Sequence, residues 1–152
     1  MRELDKTIAK IRLTLADIAS REAGLESLRR QLHMQLGRLP RVAVYGTGDL
    51  DTVLTMVRDV ETRLDEIEAD LRRLGLLKGT AHEELETLEL TKRIEDQREK
   101  LQSLRARAQE SGAVDEKTLA EIRHLERSIS EDSDLAAQRI MVHHVPPPGE
   151  TH

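Results

Sequence analysis

Leu50, Val53, Val57, Val60, Leu64, Ile67, Leu71 and Leu74 follow one another at alternating spacings of three and four residues. That is the periodicity of a helix burying one seam against other helices, and it predicts a helix over 49–75, N-capped by Asp49 or Thr47. Upstream, Leu4, Ile8, Ile11, Leu15, Ile18, Glu22, Leu25, Arg29, Leu32, Leu36 and Leu39 hold one heptad register, interrupted only by Glu22 and Arg29 at successive a positions. This predicts a helix over 2–37, about 54 Å long, ended by Pro40 because the residue before a proline is driven out of the α region.

Between these two runs, residues 41–48 (Arg-Val-Ala-Val-Tyr-Gly-Thr-Gly) read as a short strand-like connector. After Leu74, Gly75 and Gly79 bracket a link, and Thr80-Ala81-His82-Glu83 has the spacing of a capping box, which predicts a third helix over 81–110. Its apolar positions change phase between Leu88 and Leu90, so its buried face is expected to broaden or change partner there. Gly112 suits a left-handed helix end, Asp115 a new N-cap and Val114 a staple onto Leu119. A fourth helix is expected over 116–142, antiparallel to the third and bent at Ser130-Glu131-Asp132-Ser133-Asp134. Residues 145–152, with Pro146-Pro147-Pro148, are expected to be an extended tail. The resulting fold class is all-α. Four main helices form one domain over 1–144, as a coiled-coil-like bundle or as antiparallel hairpins.

Composition narrows the chemistry. The 152 residues hold no Phe, no Trp and one tyrosine, Tyr45, so a core must be aliphatic and base-stacking platforms or aromatic cages lack their rings. Twenty-nine acids against 24 bases, mixed along the helices, give a net charge of −5. That balance argues against a phosphate-tracking surface and hence against a nucleic-acid partner. Cysteine is absent, which removes disulfides and thiolate metal sites. The opening Met-Arg-Glu-Leu-Asp-Lys lacks the apolar run of a signal peptide, and no stretch has the apolar length of a membrane span, so a cytoplasmic protein is expected. Arginine outnumbers lysine eighteen to six, a codon bias that points to a GC-rich bacterial genome.

Candidate chemistry is sparse. Val42-Ala43-Val44-Tyr45-Gly46-Thr47-Gly48 has the look of the first turn of a dinucleotide-binding unit. The third glycine position is Asp51, however, and a heptad helix stands where the second strand would be. The same segment could instead pair as an exposed strand through Val42, Val44 and Tyr45. Glu121 and His124 have the Glu-x-x-His spacing of di-iron bundles, without the second copy such a site needs. His143-His144 reads as an exposed pair, and Ser128–Asp134 as a helix break in preference to a phosphorylated cluster. No cofactor and no catalytic group is expected.

Glu22 and Arg29 carry more meaning, since polar a positions fix register and partner number when they meet complementary charges. The sequence therefore reads as a non-enzymatic coiled-coil scaffold or adaptor associating with itself or another helical protein. Its first seam is Leu4, Ile8, Ile11, Leu15, Ile18, Glu22, Leu25, Arg29, Leu32 and Leu36. Leaving half of its apolar members in water would forfeit on the order of 10 kcal/mol, which favours homo-oligomerisation. The alternative is a small acidic helical chaperone or client-binding module of the secretion type, with a metal- or nucleotide-binding bundle third.

Overall fold

A computed structural model describes residues 2–46, 49–112 and 116–144. Among them the chain is helical, with no strand: α1 is Glu3–Tyr45, α2 is Leu50–Ser111 and α3 is Glu116–His144. Three helices therefore replace the four expected, because 49–75 and 81–110 belong to one element. The predicted capping box does not start a helix. Thr80 lies inside α2 and its Oγ1 donates to the Leu76 carbonyl at 3.2 Å, one turn back.

Two other expected breaks are absent. Pro40 lies inside α1, which continues to Tyr45. A proline inside a helix removes one backbone bond and costs about 3 kcal/mol, and here the seam on either side offsets that cost. Leu39 is 3% exposed and Ala43 packs on the same apolar cluster, so the last turn is held by burial. The strand-like connector at 41–48 is corrected accordingly, since residues 41–45 are helical. Ser130–Asp134 likewise stays helical within α3, where Asp132 is held by Arg93.

Both helix ends next to the first connection have local causes. At Gly46 the amide donates to the Val42 carbonyl at 2.9 Å, and a Cβ on Gly46 would collide with that oxygen. Only glycine can make this approach without a shift. Asp49 caps α2 as expected, its Oδ1 accepting from the Asp51 amide at 3.4 Å. At the end of α2, Gly112 has φ +64°, the left-handed conformation predicted for it. Thr47, Gly48, Val114, Asp115 and the tail 145–152 lie outside the described residues.

The chain divides into two compact units, one of residues 9–83 and one of 1–8 with 84–152. The unit 9–83 is an antiparallel helical hairpin of α1 and the first part of α2. Its core is Leu32, Leu39, Val53, Val60, Leu64 and Ile67, flanked by Leu25, Leu28, Leu36, Val57 and Leu71. The other unit packs α3 and the first turns of α1 on the later part of α2, around Ile8, Leu90, Ile94, Leu101 and Leu125. The phase change at Leu88–Leu90 falls in this unit, where α2 faces two helices and its buried face is broader, one of the two outcomes expected of that change.

Candidate interaction surface

Seam positions of the hairpin are filled from both helices. In α1, Ile18, Leu32 and Leu39 are buried and Ile11, Leu15, Leu25 and Leu36 half-buried. In α2, Val53, Val60, Leu64 and Ile67 are buried and Val57, Leu71 and Leu74 half-buried. In the other unit Ile8 is buried and Leu4 half-buried. Leu50, the first member of the α2 stripe, is 62% exposed. The α1 seam, read from sequence as needing an outside partner, is thus covered within the chain by the longer α2. Cover is nonetheless thin: the lowest exposure among the described side chains is 3%, at Leu32 and Leu39. Two helices enclose a line of side chains and not a volume.

The polar a positions separate. Glu22 accepts from the ammonium of Lys78 on α2 at 3.2 Å, so it meets a complementary charge across the hairpin. Arg29 instead donates to Glu26, one turn back on its own helix. Lys78 is the partner that sequence reasoning missed, and the signal was its own a position, seven residues after Leu71.

Beside the seam lies a groove of about 590 Å³, lined by Leu25, Leu28 and Leu74 with Gly24 open between the rim residues Arg21, Arg73 and Asp70. Nothing lies within 4 Å of a Cβ placed on Gly24, so the groove floor is unoccupied there. Arg21 pairs with Asp17 at 3.2 Å and Arg73 with Asp70 at 2.9 Å, which gives the rim both signs. Where α1 ends and α2 begins, Val42, Val44, Tyr45 and Leu50 are exposed, Tyr45 at 86%. The first three are the residues proposed from sequence for strand pairing, and they sit instead on a helix.

In the other unit polar pairs flank the apolar core. Arg93 grips Asp132 through two bonds of 3.0 and 3.1 Å, Gln97 donates to Ser128 Oγ at 2.9 Å, and Arg139 reaches Glu86 at 3.1 Å. Asp5 meets Lys92 at 2.8 Å, and Arg2 meets Asp96 at 3.0 Å. The Lys92 ammonium holds the Asp5 carboxyl below its ordinary range, and the bond to Asp96 holds the Arg2 guanidinium above its own. Both pairs fasten the first turn of α1 to α2.

Glu121 and His124 are both exposed on α3, and among the described residues no three His, Asp or Glu side chains converge as metal ligands. The side chains of His143 and His144 lie outside the described residues. Val42–Tyr45 forms a helical turn where a nucleotide-binding unit requires a strand. Among the described residues no helix is long and apolar enough to cross a membrane. Comparison with known proteins finds no matching family model, no similar curated protein and no similar solved structure.

Proposed function

We propose that this chain is a non-enzymatic, cytoplasmic coiled-coil scaffold or adaptor that works by helix–helix association, including association with itself, and not by binding nucleic acid. The observation that carries the reading is the hairpin 9–83, where two long helices with complementary heptad seams cover one line of side chains and leave an apolar groove beside it. A surface of that kind accepts further helices, because the contacts it offers are the same ridges and grooves that built it. Nothing about the arrangement calls for a reacting group.

Ile11→Asp and Leu64→Asp test the reading. The reading predicts a defined oligomer for the wild type by light scattering, and either substitution should dissociate or unfold it, since each places a charge in the seam. A monomer whose stability neither substitution changes would refute it.

A second reading, a chaperone-like module for client proteins, draws on the exposed Val44, Tyr45 and Leu50 at the hairpin end. The two readings separate by dye binding. A client-binding module should bind ANS and an apolar peptide while folded, with Tyr45→Ser weakening both, whereas a satisfied scaffold should bind neither.

A further inference from the structure

We infer that the Gly24–Leu28 groove is where a second copy of this chain docks, in an antiparallel two-fold arrangement that joins two hairpins into four helices. This inference rests on the scaffold reading and names its contact surface.

With a and d forming the seam, the flanking g rows are Arg21, Leu28, Gln35 and Val42 on α1 and Met56, Arg63, Asp70 and Leu77 on α2. The groove lining joins Arg21 and Leu28 to Asp70, so both g rows share one face of the hairpin. Antiparallel register then arranges them in four successive levels: Val42 with Met56, Gln35 with Arg63, Leu28 with Asp70, and Arg21 with Leu77. The e rows on the opposite face hold Arg12, Glu26 and His33 on α1 and Glu61, Glu68 and His82 on α2, with Ala19, Pro40, Leu54 and Gly75 between them. One face of the hairpin is therefore suited to burial and the other to water.

Reversing the four levels shows why the occupant is a second copy. A two-fold axis between the second and third levels brings Arg63 of each copy to Asp70 of the other, Met56 to the other copy's Leu77, and Val42 to the aliphatic stem of the other copy's Arg21, whose guanidinium is held by Asp17. Arg63 makes no ion pair among the described residues, and Asp70 keeps an exposed bond to Arg73 that a second cation can share. The face is thus self-complementary in charge and in apolar content, as an isologous interface requires. Four levels span 21 residues, about 32 Å of helix, and two helices side by side are about 20 Å wide. Two such faces would bury on the order of 1,300 Å², within the range of stable specific interfaces.

The test is charge reversal read by light scattering across a wide concentration range. Wild type should run at twice the 17.3 kDa chain mass. Arg63→Asp alone and Asp70→Arg alone should each weaken dimerisation on the order of tenfold or more, because each places like charges together at both of the contacts related by the two-fold axis. Mixing the two variants should restore a heterodimer. The acid introduced at position 63 of one chain then faces the base introduced at position 70 of the other, and the native Asp70 and Arg63 face each other at the second contact. Residues 63 and 70 lie about 10 Å apart along one helix, so rescue on mixing reports contact between chains. Gly24→Leu, which has room in the hairpin itself, should also give a monomer with unchanged or higher helix content. A dimer indifferent to all three variants, or no rescue on mixing, would overturn the inference and leave the scaffold reading standing. A wild-type monomer at every concentration would overturn both.

Discussion

Replacing Gly75 and Gly79 by alanine, singly and together, tests the continuity of α2 by the sign of the effect. Both glycines lie inside α2, neither has a positive φ, and a Cβ on either meets nothing within 4 Å. Alanine should therefore gain what it gains in any exposed helix interior, about 0.5–1 kcal/mol per site, through the smaller entropy lost on folding. The two positions lie one turn apart on the same face and each methyl meets open space, so the pair should gain about 1–2 kcal/mol, or about 2–8 °C in melting temperature for a chain of this size. Thermal unfolding followed by far-UV circular dichroism reads it directly. Gly112→Ala is the control with the opposite sign: its φ of +64° strains any L side chain, and a loss of about 1 kcal/mol is expected. If Gly75→Ala or Gly79→Ala destabilised as Gly112→Ala does, the segment would be a turn and the three-helix architecture would be wrong.

Gln97→Leu with Ser128→Ala should be neutral or stabilising by up to about 1–2 kcal/mol in urea unfolding, because the pair's hydrogen bond leaves the enclosed Gln97 Oε1 without a partner. Ser128→Ala alone should destabilise, having orphaned the amide altogether. Asp5 has a lowered pKa through Lys92, so its contribution is complete above the ordinary carboxylate value of 3.8 and fades as pH falls through the lower folded value. The Leu4 and Ile8 methyl resonances should accordingly hold steady down to about pH 4 and shift below it, and Asp5→Asn should abolish that step. For Glu22 and Lys78, a double-mutant cycle should give a coupling of about 0.5–1 kcal/mol, small because Lys78 is half in water; a coupling of several kcal/mol would mean that the pair is more enclosed than its exposure indicates.

Much of the hairpin was legible because its seam is written in one period. Every α1 seam residue from Leu4 to Leu39 is buried or half-buried, Glu22 and Arg29 included. What misled was local punctuation. Gly75, Gly79 and the Thr80–Glu83 box look like a helix stop and start, yet Leu71, Leu74, Lys78, Ala81, Leu85 and Leu88 keep the three-four spacing straight across them. Two glycines cost about 2 kcal/mol of helix propensity, while an unbroken seam holds several half-buried aliphatic side chains at about 1.5–3 kcal/mol for each one fully buried. The seam outweighs the punctuation. Pro40 yields to the same comparison, with Leu39 and Ala43 on either side of it. The groove was less legible, since g positions become a surface only once the partner helix and its direction are known.

Register in the hairpin is then set by what the alternatives would place together. Glu22 and Lys78 both occupy a positions and meet across the antiparallel pair. Sliding one helix by a heptad in one sense moves Lys78 from Glu22 toward Arg29, bringing two cations together in the seam; sliding it in the other sense leaves Lys78 beside Leu15 and Glu22 beside an aliphatic side chain. Each slip exchanges a paired charge for an unpaired or repelled one in a half-buried site, which costs more than the pair itself contributes. Arg29, bonded to Glu26 on its own helix, needs nothing from α2 in the native register and acts only against the wrong one. A Leu/Ile/Val seam of fixed period would otherwise accept any heptad shift, so these three charges convert a helix pair that merely associates into one with a defined groove at Gly24.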